Sequence, residues 1–356
     1  MAQILILGGT RWLGRTLVRT ALRQGHAVAC LARGSDAFEP GTEAVRADRD
    51  TSGAYAAVAG RPWDLVVELT RFPAYARSAV EALSPDAAHW AFVSSCSVYA
   101  QQSVPGADEN APLLPALAST EEYADALYGE AKAGCEWLTV ASRGNAALLV
   151  RAGLIGGPGD PSGRSTYWPR RFAAARDAAA EKDGTAGPVL VPDDSAAPGS
   201  VQIVDVRDLA AFILEAGLAG RGGPVNAVGA AMPLGDVLAS AASAAGYAGP
   251  TAGYPVERME RDGVDAWAGP RSLPLVLLPT PEYAGFARRD DARALRWGLV
   301  RRPLAETFAD ILEDDAAAGA VVPAAAGAGL APQDEATLLA ALAGGASGRA
   351  AGEPAG

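Results

Sequence analysis

The chain predicts an α/β fold, a doubly wound parallel sheet with a smaller C-terminal α/β lobe. Three observations carry that expectation. Short apolar runs alternate with amphipathic stretches through about the first 150 residues, the order that a parallel sheet with crossover helices requires. A glycine turn, Gly8-Gly9-Thr10-Arg11-Trp12-Leu13-Gly14, stands between the first apolar run and the first helical pattern. At 356 residues, the chain is long enough for two lobes.

The elements follow in order. Gln3–Leu7 is the first strand, Leu13–Gln24 a helix, Ala27–Ala32 the second strand and Glu43–Ala47 a short third. Asp64–Leu69 is the fourth strand, and a helix follows over Tyr75–Leu83. Trp90–Ser94 is the fifth strand. A long helix is expected from about Thr120 to Ser142, because Ser119-Thr120-Glu121-Glu122 offers N-cap hydroxyls and first-turn acids. Asn145–Val150 returns as the sixth strand. Beyond Arg151 come a Gly/Pro-rich turn over Gly156–Pro161, an aromatic and basic stretch, and a helix toward Lys182. Val201–Val204 and Val225–Val228 read as strands, with Asp205 capping a helix over Asp208–Ala216. The expected division is therefore a first lobe of residues 1–152 plus a returning segment of about 200–230, and a second lobe of 153–199 and 231–315. Residues 316–356 form an Ala/Gly-rich flexible tail with one possible terminal helix at Pro332–Leu342.

Composition narrows the function classes. No apolar run approaches the roughly eighteen residues that span a bilayer, and strand-like sequence begins at Gln3 without a basic leader, so a cytoplasmic protein is expected. Cys30, Cys96 and Cys135 are widely spaced, and His26 and His89 both open apolar runs, so neither a disulfide framework nor a metal site is expected. The net charge of −11 argues against nucleic acid as a partner and leaves a small-molecule substrate.

A strand, a glycine turn and a helix N-terminus together let backbone N–H groups and the helix dipole hold a dinucleotide pyrophosphate. The customary three-glycine spacing would place glycine at position 11, where this chain has Arg11; its side chain must leave the turn or reach back over the phosphates. At the end of the second strand, where an acid would bind the ribose hydroxyls of NAD, the chain reads Leu31-Ala32-Arg33-Gly34. Arg33 can face a 2′-phosphate, so NADP is expected, with NAD the alternative. Asp48 suits either the adenine amino group or a simple turn.

Tyr128 is followed four residues later by Lys132, one of two lysines in a chain that carries 28 arginines. By chance such a pair is expected about once in twenty chains of this composition. On a helix the two side chains share a face, where the ammonium favours the phenolate and brings the tyrosine toward proton exchange near neutral pH.

Together the glycine turn, Ser94-Ser95-Cys96-Ser97-Val98-Tyr99, Tyr128-x-x-x-Lys132 and Arg151-Ala152-Gly153-Leu154-Ile155-Gly156-Gly157-Pro158 resemble the extended short-chain dehydrogenase/reductase family, which includes NAD-dependent epimerases and dehydratases. The likeness covers about residues 3–230 and implies a Rossmann-type NAD(P)-binding domain in the first lobe and a substrate-binding second lobe. Within the family, Gly-Gly-Thr-Arg-aromatic-Leu-Gly resembles a subgroup of bacterial reductase-like proteins and chloroplast stem-loop-binding proteins. By resemblance, Tyr128 is the catalytic acid or base and Lys132 lowers its pKa while binding the nicotinamide ribose. Ser95 would hydrogen-bond the substrate oxygen, with Ser94 or Ser97 as substitutes if the strand end is offset. Gly8, Thr10, Arg11, Trp12, Leu13, Gly14, Arg33, Asp48 and Leu69 would complete the cofactor site.

Departures from the family pattern narrow the reaction. Cys96 and Ser97 stand where dehydratases carry an Asp-Glu pair, so elimination of water is not expected, and Cys96 is offset by one residue from an epimerase cysteine, which makes it a packed thiol. Leu154 replaces an asparagine common in sugar-nucleotide enzymes and favours a smaller or more apolar substrate. Arg164, Tyr167 and Trp168, with Arg170 and Arg171, would lie near the substrate mouth or form an interdomain salt-bridge cluster. The leading expectation is an NADP(H)-dependent oxidoreductase acting on a carbonyl or secondary alcohol of a small metabolite. An NAD-dependent sugar epimerase of the same fold is the alternative, followed by a non-catalytic dinucleotide sensor or RNA-binding protein. A homodimer is possible by analogy.

Overall fold

A computed structural model describes residues 1–34, 36–181, 187–196, 198–319 and 326–350, the last six without side chains. In chain order the elements are β1 (Gln3–Leu7), α1 (Trp12–Arg23), β2 (Ala27–Ala32), β3 (Glu43–Arg46), β4 (Trp63–Glu68), α2 (Pro73–Leu83), β5 (Ala87–Ser95), α3 (Tyr128–Arg143), β6 (Ala147–Ala152) and β7 (Leu154–Gly156). They continue with α4 (Tyr167–Glu181), β8 (Val189–Asp193), β9 (Ser200–Asp205), α5 (Val206–Leu218), β10 (Gly223–Ala227), β11 (Ala231–Pro233) and α6 (Leu234–Ala244). The last are β12 (Thr251–Pro255), β13 (Asp265–Trp267), β14 (Ser272–Pro274), α7 (Ala292–Arg296), α8 (Leu304–Ala317) and α9 (Pro332–Ala350).

Seven strands form one parallel sheet in the order β10-β6-β5-β4-β1-β2-β3. Burial on both faces explains the near-continuous apolar runs that mark these strands in the sequence. Along β1, Ile4 and Ile6 pack in one layer with Leu17 and Val18 of α1 and Leu209 and Ile213 of α5. Leu5 and Leu7 pack in the other layer with Ala76 and Val80 of α2 and Cys135 of α3. Strand order reverses between β1 and β4, and in open parallel sheets that switch point opens a crevice at the carboxyl ends of the strands.

The chain divides into two compact units. Unit 1 contains residues 1–155, 202–230 and 284–301, and unit 2 contains 156–201, 231–283 and 302–356. Residues 284–301 belong to unit 1 because Asn226 Nδ2 donates to the Asp290 carbonyl (3.0 Å), Arg293 donates to the Pro224 carbonyl (2.7 Å) and Arg289 lies over the Tyr99 ring. In unit 2, β8 and β12 pair in parallel, and α4 buries Tyr167, Trp168 and Phe172.

Two differences from the expected elements bear on the site. The helix expected from Thr120 begins only at Tyr128, after a 3₁₀ turn at Asp125–Leu127. Ala124 is extended (φ −125°, ψ 149°), and Glu121 turns its carboxylate to the Ala118 N–H (2.7 Å) instead of capping a helix. Tyr123 meets Phe72 edge to face at 4.9 Å, which ties the segment down before the helix starts. The helix expected over Tyr75–Leu83 starts two residues earlier, with Pro73 in its first turn where a missing N–H costs nothing. Lys182, the expected end of the helix after Tyr167, lies outside the described residues.

Candidate active site

The glycine turn has the backbone its residues allow. Gly8 adopts φ +98° at the end of β1 and donates its N–H to the Leu31 carbonyl (2.9 Å). A Cβ on Gly14 would lie 2.5 Å from the Gly8 carbonyl oxygen and 2.7 Å from Gly9 Cα, so the turn and α1 close on each other only with glycine there. No side chain caps the N-terminus of α1, the kind of helix end at which backbone N–H groups bind anions. Arg11 takes the outward course. Its side chain is 78% exposed and its Nε lies 3.4 Å from Asp36.

Above this turn a cavity of about 620 Å³ opens, lined wholly by residues of unit 1. Of the residues expected to hold a cofactor, Gly8, Thr10, Arg11, Leu13, Gly14, Arg33, Asp48 and Leu69 border it. Ser95, Tyr128 and Lys132 border the same space, so one cavity joins the glycine turn to this Ser, Tyr and Lys set. Trp12 does not border it: as the first residue of α1 it is rotated off the face that carries Leu13 and Gly14, and it is half-buried. Leu154 does not border it either. Gly153 and Ile155 do, and alternation along β7 turns Leu154 to the opposite, buried side.

Lys132 is buried, and its Nζ donates to the carbonyls of Thr70 (2.7 Å) and Val93 (2.5 Å). The ammonium also lies 4.5 Å from the Phe92 ring centroid. Two of its three N–H groups are thus spent at the ends of β4 and β5. Thr70 is itself fixed, because its N–H donates to Glu68 Oε1 (3.0 Å) and its hydroxyl accepts from Phe72 N–H (3.0 Å). Glu68 in turn takes a bidentate pair from Arg49 at 2.9 and 2.7 Å. This support is not legible from local spacing, since Arg49 and Glu68 are 19 residues apart.

Tyr128 reaches the strand end because its neighbour is glycine. A Cβ on Gly129 would lie 2.4 Å from the Ser97 carbonyl oxygen. The Ser95 hydroxyl accepts from Ser97 N–H (3.1 Å) and caps the 3₁₀ turn that follows β5. Ser94 also borders the cavity; its buried hydroxyl has no partner among the described residues. Asp48 serves the turn reading at least in part, accepting from Asp50 N–H at 3.1 Å.

Behind Ser95 lies a buried polar network that sequence reasoning missed. Arg151 pairs with Glu136 (2.8 Å) and donates to Tyr99 Oη (3.2 Å), and Tyr99 donates to Asn226 Oδ1 (2.5 Å). Burial pushes the Tyr99 pKa up to about 12 against the opposing pull of Arg151, so this second tyrosine keeps its proton. Burial likewise pushes the Cys96 thiol to about 12, and its Sγ–H points to the Arg151 carbonyl at 3.4 Å. Cys96 is a packed thiol, as its offset predicted.

The aromatic and basic stretch after residue 163 behaves differently from the expected substrate mouth. Tyr167 and Trp168 are fully buried in unit 2, and Trp168 Nε1 donates to the Pro274 carbonyl at 2.9 Å. Arg164 lies over the Trp267 ring at 5.3 Å. Arg170 pairs with Asp315 (2.7 Å) and Arg171 with Glu335 (2.5 Å), so these arginines do form salt bridges, but within unit 2 and not between domains as expected. Neither ring is placed to touch a substrate, because each is consumed in the core of its own unit.

Among the described residues no cluster of three His, Cys, Asp or Glu could hold a metal, and no helix is long and apolar enough to cross a membrane. No family model matches the chain, and no curated protein matches it in sequence. Solved structures do. A provisionally assigned epimerase from Burkholderia cenocepacia J2315 aligns over 90% of this chain and 99% of its own, with a TM-score of 0.66 at 19% identity. The Bordetella bronchiseptica enzyme WbmG, solved with NAD and UDP, aligns over 89% and 96% (TM-score 0.61, 16% identity). UDP-N-acetylglucosamine 4-epimerase from Bacillus cereus aligns over 87% and 98% (TM-score 0.60, 15% identity). None of these bears on the narrower Gly-Gly-Thr-Arg subgroup. With its seven-stranded parallel sheet and its glycine turn at the end of β1, the chain has the Rossmann-type α/β fold that these solved structures share.

Proposed function

We propose that this chain is a nicotinamide-dinucleotide-dependent enzyme acting at a secondary alcohol or carbonyl carbon of a small molecule. The observation that carries the reading is the single cavity bordered both by the glycine turn and by Ser95, Tyr128 and Lys132. The residues fit the dinucleotide: the open N-terminus of α1 and the Gly8–Gly14 approach suit a pyrophosphate, and the remaining Lys132 N–H suits a ribose hydroxyl. When bound, the nicotinamide would supply or accept hydride at the substrate carbon. Ser95 holds the substrate oxygen as charge develops on it, and Tyr128 gives or takes its proton, with the Lys132 ammonium bordering the same cavity. The Arg49–Glu68–Thr70 chain keeps that ammonium in place.

Of the two forms this chemistry takes, epimerisation with retained NAD is the better supported, since the similar structures named include epimerases and one was solved with NAD. In that form the substrate is oxidised and re-reduced within one binding event. The second reading, an NADP(H)-dependent reductase, is favoured by Arg33, which borders the cavity directly after β2, where the first acid comes only at Asp36. Denaturing the purified, dialysed protein and assaying the supernatant separates them. Retained NAD with inversion of an alcohol centre and no net NADH supports the first reading; an empty protein that consumes added NADPH supports the second. Turnover by Tyr128→Phe at the wild-type rate would refute both.

A further inference from the structure

We infer that Arg71 anchors an oxyanion, a carboxylate or phosphate, carried by the substrate of this cavity; the inference rests on the function proposed above and names its substrate class. Four arginines and Lys132 border the cavity, against Asp48 as the only acid among its lining residues. Most of that positive charge is already committed. Arg49 is bidentate with buried Glu68, Lys132 donates to two carbonyls, and Arg11 pairs with Asp36. Arg33 stands at the end of β2 beside the turn expected to hold the dinucleotide.

Arg71 is held without being consumed. Its guanidinium carbon lies 5.4 Å from the Phe72 ring centroid and 5.0 Å from that of Tyr123, and the two rings meet edge to face. Aromatic faces pin a guanidinium through its π surface and leave its edge N–H groups unspent. Among the described residues Arg71 donates no hydrogen bond, and its one carboxylate neighbour, Asp125, is 3.6 Å away and 84% exposed. An ion pair that open to water compensates little of the charge. The result is an oriented fork with free donors, the geometry that takes a planar carboxylate or a phosphate edge in two parallel hydrogen bonds.

Its position ties the fork to the reacting groups. Thr70, the residue before Arg71, gives its carbonyl to Lys132 at 2.7 Å. Arg71 and Tyr128 border the same cavity. An oxyanion on Arg71 therefore sits on the same molecule whose alcohol or carbonyl meets Tyr128. Arg71 is then a specificity-determining residue.

The test is calorimetric titration of the NAD⁺-saturated protein with malonate and, separately, with inorganic phosphate. In wild type one of the two binds, and the tighter one identifies the group. Arg71→Gln is expected to weaken that binding at least tenfold and Arg71→Lys to give an intermediate loss. Asp125→Asn, which removes the competing carboxylate, is expected to tighten it two- to threefold. NAD⁺ affinity should stay within twofold in all three variants. Equal oxyanion binding in wild type and Arg71→Gln would overturn the inference, as would a wild type that binds NAD⁺ but neither anion. A fall in NAD⁺ affinity with Arg71→Gln would also overturn it, by assigning Arg71 to the dinucleotide. A wild type that binds neither NAD⁺ nor NADP⁺ overturns the proposed function itself, and this inference with it.

Discussion

Arg170 and Arg171 in unit 2 and Arg71 in unit 1 all stand beside aromatic residues in the sequence, yet the surroundings of the two groups differ. In unit 2 the neighbouring rings, Tyr167 and Trp168, are core, and the guanidinium groups are taken by Asp315 and Glu335, acids 145 and 164 residues further along the chain. In unit 1 the rings of Phe72 and Tyr123 hold Arg71 by their faces at a cavity wall, and its one ion-pair partner among the described residues, Asp125, is exposed. Residue type is the same in both places. What separates a structural arginine from a binding one is whether a distant acid is delivered to it, and the fold alone decides that.

Substitutions can break or sharpen this contrast. The largest effect belongs to the group the cavity is built around: Tyr128→Phe should lower turnover by about 10² to 10⁴ while dinucleotide affinity stays within twofold, checked by steady-state rates and calorimetry. In unit 2, Arg171→Met leaves Glu335 buried with only the Leu190 N–H (2.9 Å) as compensation, and a cost of about 3–5 kcal/mol in urea unfolding is expected. Trp168→Ala should cost a similar amount, about 3–5 kcal/mol, by opening the core of unit 2. Arg71→Gln should change the same unfolding free energy by no more than about 0.5 kcal/mol, since the side chain is half exposed and its ion pair with Asp125 is screened. If Arg71→Gln destabilises as much as Arg171→Met, the contrast fails.

The smallest effect is an expected silence at the thiols. Burial raises Cys30 to about 11 and Cys96 and Cys135 to about 12, so each keeps its proton in the folded chain well above neutral pH. Iodoacetamide at pH 8 should leave all three unlabelled in the native protein and label all three in urea, read by mass spectrometry. The sign is fixed by the direction of the shifts: a raised pKa protects the thiol until pH climbs past the ordinary thiol range. Native labelling of Cys96 at pH 8 would return it to consideration as an acid or base beside Ser95.

The central strands were legible because they are buried on both faces, so Ile4 to Leu7 and Ala147 to Val150 read as unbroken apolar or small runs. The glycine turn and the Tyr128 and Lys132 pair were legible for a related reason: their chemistry is set by local spacing on one strand end and one helix face. The start of α3 was not. Ser119 to Glu122 carry good capping chemistry, but Glu121 spends its carboxylate on Ala118 and the Tyr123–Phe72 contact holds the chain extended. Tyr167 and Trp168 misled because the carbonyl that accepts from Trp168 belongs to Pro274, 106 residues away. The Arg151–Glu136–Tyr99–Asn226 network was invisible for the same reason, since its members meet only after β5, β6, α3 and β10 are assembled.

The central claim is that the unit 1 cavity holds a nicotinamide dinucleotide with its reactive end at Tyr128. A crystal structure of the protein grown with NAD⁺ tests it most directly. The account predicts the pyrophosphate on the Gly8–Gly14 turn, a ribose hydroxyl on Lys132 Nζ and the nicotinamide beside Tyr128 and Ser95. A dinucleotide bound elsewhere, or one whose nicotinamide points away from Tyr128, would contradict it.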